Sequence, residues 1–170
     1  MRVVVDASVA RAAGPGHPPG PACIATLRAI DAAHHVVVSG PDLRDEWRTH
    51  QSAFASKWLA NMIARRRWAW IAEPAWADGN RLLDLAAELP GNGPDDVAKD
   101  CHLVELAMVT DRRLISLDAR QRALLGRVAA ALPALCALGW CSPTAPGAEA
   151  WILAGMPDED PWRVVATRPA

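Results

Sequence analysis

The stretch KDCHLVELAMVTDRRLISLD, residues 99–118, has the pattern of a helix, a turn and a short apolar strand, with a carboxylate near each end. On a helix, the residues three, four and seven positions after Asp100 share its face, and all three are apolar. The pattern therefore places Asp100 on the stripe that faces the core, where an unpaired carboxylate is costly. Asp118 directly follows the strand. Two acids directed towards one interior indicate a shared partner, and a divalent cation is the usual one.

Composition restricts the class of protein. A chain of 170 residues, 51% of them apolar, is most simply one domain with a sizeable core. A formal charge of −1 excludes a protein that coats nucleic acid by bulk charge, although a local basic patch stays open. The start MRVVVDAS has no signal-peptide pattern, and no apolar run approaches the roughly 20 residues of a membrane span. We therefore expect a soluble, cytoplasmic protein with no membrane partner, whose four cysteines are reduced.

Buried strands and helices alternate along the chain. Strands are expected at residues 2–5, 35–38 and 114–117, with further candidates at 68–72 and 135–138. Helices are expected at 22–33, 41–67, 79–89, from Pro94 onwards, 119–131 and 147–154, and GPGHPPGP at 14–21 is expected to be a loop. The pattern predicts an α/β fold, a three-layer α/β/α sandwich with a mainly parallel sheet of four to five strands. Residues 1–140 are expected to form the core domain, and residues 141–170 an extension packed on it.

Four acids are expected at one edge of this sheet. Asp6 ends the first strand, Glu46 lies early in the helix after the second, Asp100 lies near a helix start, and Asp118 follows a later strand. The carboxyl ends of parallel strands and the N-termini of the following helices share one edge, so these acids are predicted to converge. Mg²⁺ or Mn²⁺ would relieve their repulsion. Two such ions about 4 Å apart can activate a water for attack on a phosphodiester.

Two hydroxyls accompany the acids, and each acid also has a purely structural interpretation. Ser8 and Ser116 each lie two residues from a strand-end acid and can bond a carboxylate or a metal-bound water. Asp6 alone could be a helix N-cap, although Asp118 in the equivalent place favours a metal site. Glu46 could be solvated, and Asp100 could simply complement a helix dipole.

Two further residues are weaker candidates. Glu105 lies roughly 140° around the helix from Asp100, which makes it a second-rank ligand. His50 is one turn from Glu46, so a Glu-His metal pair is conceivable, but its apolar stripe favours a core histidine.

The motifs VVVDASV, LRDEWRTH and KDCHLVELAMVTDRRLISLDARQR together resemble the PIN-domain nucleases, which include the VapC-like toxins of bacterial toxin–antitoxin pairs. The resemblance covers most of residues 1–140. It implies Mg²⁺ or Mn²⁺, cleavage of RNA, and frequent dimerisation, so the expected partners are an RNA substrate, an antitoxin protein and a second copy of the chain. By the same resemblance, the catalytic and metal-binding acids are Asp6, Glu46, Asp100 and Asp118, and the accessory hydroxyls are Ser8 and Ser116.

A basic stretch with tryptophans adds a candidate RNA contact. Arg65, Arg66 and Arg67 can bind phosphates, and the nearby Trp58 and Trp70 can stack on bases. A solvated helix end explains the arginines equally well. For the two tryptophans, positions in the core are favoured.

The leading hypothesis is a metal-dependent endoribonuclease, and the sequence leaves open whether it is the toxin of a toxin–antitoxin pair or a housekeeping nuclease. The alternative is a non-catalytic PIN-like module that binds RNA or protein and keeps the acidic pocket without using it. A phosphatase of the haloacid-dehalogenase type also uses a strand-end aspartate, but it requires a second aspartate two residues on, where this chain has Ser8.

Overall fold

A computed structural model describes residues 1–167 of the chain. The strands are β1 (Arg2–Val5), β2 (Val36–Ser39), β3 (Trp68–Trp70), β4 (Arg113–Ile115) and β5 (Gly139–Cys141). The α-helices are α1 (Ala7–Ala12), α2 (Gly20–Ala32), α3 (Pro41–His50), α4 (Ala53–Ala64), α5 (Gly79–Ala86), α6 (Gly93–Lys99), α7 (Cys101–Met108), α8 (Ala119–Ala129) and α9 (Ala148–Leu153). A short 3₁₀ helix covers Pro133–Ala137.

The strands form one sheet in the order β3-β2-β1-β4-β5, and every neighbouring pair is parallel. The strands are apolar without alternation because both faces of the sheet are covered. Their fully buried residues include Val3, Val4, Val5, Val37, Val38, Leu114 and Ile115. The predicted parallel sheet is confirmed, including its uncertain strand at β3.

Helices cover both faces of the sheet, which confirms the three-layer sandwich. Helix α2 packs against both α4 and α9, while α5, α6, α7 and α8 form a second group with α7 against β1 and β4. Right-handed crossovers explain why the helices divide between the two faces. From β1 the chain moves across the sheet to β2 and β3, whereas from β4 it moves in the opposite direction to β5. His35, directly before β2, connects the sheet to α9, since its Nε2 donates to the carbonyl of Ile152 at 2.8 Å.

The long helix predicted over residues 41–67 is wrong, because the chain breaks into α3 and α4. Gln51 and Ser52 are extended between them, with ψ angles of 140° and 164°. The Ser52 hydroxyl accepts from the N–H of Ala55 and donates to the carbonyl of Ala13, so it caps α4 and anchors the break. Helix α1, between β1 and the Gly/Pro loop, was missed because it is only six residues long.

Two further predictions need correction. Residues 135–138 are not the last strand, since Pro133 begins a 3₁₀ helix and β5 forms at Gly139–Cys141. The helix around Asp100 is also interrupted at that residue, which separates α6 from α7.

The C-terminal segment packs back on the sheet and on α2. The backbone N–H of Trp140 donates to the carbonyl of Trp162 at 2.7 Å, and α9 lies against α2. The division into residues 1–140 and 141–170 stays a prediction; it falls inside β5, and residues 168–170 lie outside the described residues. Among residues 1–167, no helix has both the length and the apolar character needed to cross a membrane.

Candidate active site

A cavity of about 210 Å³ opens at the edge of the sheet where the parallel strands end. Its lining residues are Asp6, Ala7, Ser8, Arg11, Glu46, His50, Lys99, Asp100 and Asp118. The four acids singled out in the sequence therefore come together in space. They arrive from four separate places: the β1–α1 junction, α3, the α6–α7 junction and the start of α8.

Asp6 is held through both oxygens of its carboxylate. Oδ1 accepts from the backbone N–H of Ser8 at 3.1 Å, so Asp6 is the N-cap of α1. Oδ2 accepts from the hydroxyls of Ser8 and Ser116, both at 2.6 Å. Ser116 is in reach because Val5 pairs with Ile115, which brings the next residues of β1 and β4 side by side. Asp6 thus has the N-cap role that was its structural alternative, and it also lines the cavity.

The same two serines reach towards Asp118. The Ser116 hydroxyl accepts from the N–H of Asp118 at 3.0 Å, and the Ser8 hydroxyl accepts from the N–H of Leu117 at 3.3 Å. Asp118 itself caps α8, because its Oδ1 accepts from the N–H of Gln121 at 2.8 Å. The two strand-end acids are therefore joined by one network of hydroxyls and backbone N–H groups.

Glu46 is positioned by its neighbours on α3 and by a histidine on α7. The indole of Trp47 donates to the carbonyl of Val5 at 2.9 Å, which fixes α3 beside the end of β1. Nε2 of His102 lies 3.6 Å from Oε1 of Glu46, and His102 is only 9% exposed. His102 lowers the pKa of the Glu46 carboxyl, outweighing the opposite effect of burial. Burial alone would lower the pKa of His102, but Glu46 and its neighbouring acids raise it.

Asp100 lies at the junction of two helices, with φ −108° and ψ 13°. It ends α6 and precedes α7, so its side chain leaves the backbone at a break in the helix. Burial raises the pKa of its carboxyl; Lys99 opposes this shift, while the like charges of Asp6, Asp118 and Glu46 add to it. Burial and the neighbouring acids thus both disfavour the charged form of Asp100.

The charges of the cavity are incompletely balanced. Its four carboxylates face two cations, Arg11 and Lys99, which leaves a formal charge of −2 with His50 neutral. Within residues 1–167, neither lysine nor arginine forms a salt bridge with Asp6, Asp100 or Asp118. Because the donors are oxygens and the residual charge is −2, the lining suits a hard divalent cation such as Mg²⁺.

A closed ligand cage is not preformed. Among the described residues, no three His, Cys, Asp or Glu side chains converge closely enough to hold a metal ion as they stand. Mg²⁺ usually keeps several waters and takes only one or two carboxylates from a protein. The residues of this lining that could hold such an ion are Asp6, Glu46, Asp100 and Asp118.

Some candidate residues lie elsewhere than expected. His50 is exposed at the cavity rather than in the core, so the core interpretation is wrong. Trp58 is buried, as favoured, whereas Trp70 is 45% exposed beneath the guanidinium of Arg44. Glu105 lines a separate, smaller cavity with His102 and does not reach the four acids.

The arginine run lies at the opposite edge of the sheet. Arg67 directly precedes β3, so the run is at the end where the strands begin. Arg65 and Arg67 both bind the carboxylate of Asp31, at 2.6 and 3.1 Å, and Arg66 has a φ of 56°. Asp31 is therefore paired with two of the three arginines. The structure does not bring this run to the acidic cavity.

Sequence reasoning missed three residues of the site: Arg11, Lys99 and His102. Lys99 and His102 lie within two residues of Asp100 in the chain, so the sequence already indicated that they lie near the site. Arg11 lies three residues after Ser8 on α1, and a prediction of that short helix would have placed it on the same face.

Comparisons of the chain with protein-family models, with curated proteins and with solved structures found no match. The resemblance to PIN-domain nucleases therefore stays a hypothesis based on the motifs quoted above. The chemistry of the site has to be argued from its own residues.

Proposed function

We propose that the protein is a metal-dependent endoribonuclease that hydrolyses RNA phosphodiester bonds at the cavity lined by Asp6, Glu46, Asp100 and Asp118. One observation carries the proposal: four carboxylates from four separate elements line one cavity, and in residues 1–167 three of them lack any basic partner in contact. Such an arrangement costs stability unless a bound cation offsets the repulsion. The motif resemblance supplies RNA as the substrate class.

Some residues of the site would bind the cation, and others orient the residues that bind it. Asp6, Asp100 and Asp118 would hold Mg²⁺ or Mn²⁺, and Glu46 would complete the set. Ser8 and Ser116 fix the Asp6 carboxylate by two hydrogen bonds of 2.6 Å. His102, whose Nε2 lies 3.6 Å from Oε1 of Glu46, would orient Glu46 by charge. When bound, the cation would supply Lewis acidity and a water of lowered pKa.

The overall reaction consumes one water for each bond broken. The oxygen of water forms a bond to phosphorus, one backbone phosphorus–oxygen bond breaks, and the departing oxygen takes up a proton. The products are a strand with a phosphate end and a strand with a hydroxyl end. The protein residues bind and orient the reacting groups, which is the main contribution that phosphoryl chemistry requires.

The deciding experiment compares two matched substitutions close together in the chain. Single-stranded RNA is incubated with the parent, Asp100→Asn and Asp95→Asn, each with Mn²⁺, with Mg²⁺ and with EDTA. Asp95 is exposed in the first turn of α6 and lies outside the cavity. The parent and Asp95→Asn should cleave RNA only with a divalent ion, and Asp100→Asn should lose at least about 100-fold in rate.

Two outcomes contradict the proposal in different ways. Cleavage by Asp100→Asn at the parental rate would show that the site is wrongly assigned. Absence of cleavage by the parent with every divalent ion tested would support the non-catalytic module instead.

The toxin role extends the same proposal and rests on the resemblance. Expression of the parent in a bacterial host should stop growth, expression of Asp100→Asn should not, and the product of an adjacent small gene should restore growth. Growth unaffected by an RNA-cleaving parent would favour a housekeeping nuclease.

A further inference from the structure

The acidic cavity contains two cations that do not bind its acids. Arg11, in the last turn of α1, and Lys99, in the last turn of α6, both line the cavity and are exposed. In the part of the chain that the structure describes, neither forms a salt bridge within 4.0 Å. Elsewhere on the surface, arginines near acids do pair with them, as Arg120 does with Asp96 at 2.5 Å.

Three of the four acids already have partners other than lysine or arginine. Asp6 is occupied by two hydroxyls and a backbone N–H, and Asp118 by the N–H of Gln121. Glu46 has His102 beside it. Because none of these partners is a lysine or an arginine, Arg11 and Lys99 are available to bind an anion that enters the cavity.

The two cations come from different elements of the site, Arg11 from α1 and Lys99 from α6. Ser8 and Arg11 are three residues apart on α1 and share a face, so Arg11 lies about one helical turn beyond the hydroxyl bound to Asp6. Lys99 directly precedes Asp100 at the α6–α7 junction. Of the two cations, one is therefore carried by the helix that Asp6 caps and the other by the residue next to Asp100.

We propose that Arg11 and Lys99 bind the backbone phosphates on either side of the phosphate that is cut, so that the substrate is a strand continuing in both directions. The inference rests on the proposed function and adds the substrate contacts to it. A mononucleotide or a small phosphodiester would leave both cations unused. The structural alternative is that each cation only complements the C-terminal end of its own helix.

A direct test measures binding in protein that cannot cut. In the Asp100→Asn background with Mg²⁺, the affinity for a single-stranded RNA of about ten nucleotides is measured across a salt series. Arg11→Gln and Lys99→Gln should each weaken binding several-fold and reduce the slope of log K against log salt by about 0.7. Arg127→Gln is the matched control, because Arg127 is also exposed in the last turn of a helix, α8, and lies outside the cavity.

A second measurement separates flanking contacts from the reacting phosphate. In otherwise parental protein, Arg11→Gln and Lys99→Gln should lower kcat/KM for RNA several-fold more than they lower the hydrolysis of bis(p-nitrophenyl) phosphate, which has no flanking phosphates. Equal losses on both substrates, or an unchanged salt slope, would overturn the proposal.

The two proposals fail in distinguishable ways. If the salt slope changes as expected but the parent cleaves no RNA with any divalent ion, the phosphate contacts stand and the hydrolytic function falls. If the parent cleaves RNA and the variants match Arg127→Gln in affinity and kcat/KM, the phosphate contacts fall and the hydrolytic function stands.

Discussion

The two edges of the sheet both carry acids, and the acids have different partners. Where the strands begin, Asp111 receives the backbone N–H and guanidinium of Arg2 at 2.7 to 3.1 Å. At the same edge, Asp31 binds the guanidinium groups of Arg65 and Arg67. Where the strands end, the acids of the cavity have hydroxyls, backbone N–H groups and one histidine as their nearest partners.

This difference separates acids that stabilise the fold from acids available to a ligand. Burial alone would raise the pKa of Asp111, but the hydrogen bonds and charge of Arg2 outweigh it and lower the pKa. Burial raises the pKa of Asp100, and the neighbouring acids add to the shift against Lys99. Asp111 has a basic partner and Asp100 has none in contact within residues 1–167, so we expect the stability of the fold to respond in opposite directions to mutation and to pH at the two edges.

The largest expected effect comes from placing a basic side chain beside an acid of the cavity, as Arg2 lies beside Asp111 at the opposite edge. Ser8→Lys places an ammonium group beside Asp6, where the Ser8 hydroxyl now donates at 2.6 Å. The ammonium should compete with a divalent cation for the carboxylate, so Mn²⁺-dependent RNA cleavage should fall at least about 100-fold. Ser8→Gln, of similar length and uncharged, is the control and should lose much less. Equal activity of the two variants would show that charge at this position does not matter.

A smaller effect is expected from the histidine beside Glu46. His102→Ala removes the group that lies 3.6 Å from the Glu46 carboxylate, so Glu46 should become free to rotate. Affinity for Mn²⁺, measured by titration calorimetry, should fall about tenfold, as for other residues that orient metal ligands. His102→Gln keeps a donor and should recover most of the affinity. If His102→Ala and His102→Gln were equally impaired, His102 would act through packing alone.

The pH dependence of stability should have opposite signs at the two edges. Asp111 has a lowered pKa in the fold, so its contribution is present above 3.8 and is lost as the pH falls through the folded value. Asp100 has a raised pKa, so its contribution is present below 3.8 and is lost as the pH rises through the folded value. In EDTA at neutral pH, Asp111→Asn should therefore be less stable than the parent, and Asp100→Asn more stable.

Urea denaturation at a series of pH values measures both differences in the free energy of unfolding. Both should diminish towards low pH, where the native carboxyls are neutral and resemble asparagine. A loss of stability in Asp100→Asn at neutral pH would mean that its carboxylate has a stabilising partner in the metal-free protein.

The sequence predicted the sheet and the acidic edge because each depends on local signals. Apolar runs such as residues 2–5 mark buried parallel strands, and the topology then brings the residues that follow them to one edge. Asp6 and Asp118 follow their strands directly, so their convergence required only the pairing of β1 with β4. Their place at one edge was therefore predictable from residue order.

The parts that could not be predicted depend on contacts distant in the chain. The break between α3 and α4 requires the carbonyl of Ala13 as a partner for Ser52, and these residues are 39 positions apart. The pairing of Asp31 with Arg65 spans 34 positions. A helical pattern through residues 41–67 contains no signal for either contact, so the sequence alone favoured one long helix and a free arginine run.

The smallest expected effect concerns that arginine run and tests whether the edge where the strands begin serves stability alone. Arg65→Gln removes a partly exposed ion pair to Asp31 and should lower the free energy of unfolding by about 0.2–1 kcal/mol. Arg66→Gln should change stability very little, because Arg66 is exposed and forms no salt bridge within residues 1–167. Since the run lies at the edge away from the cavity, neither variant should alter KM for RNA or the salt dependence of RNA binding. A raised KM in Arg66→Gln with unchanged stability would show that the RNA strand extends to this edge as well.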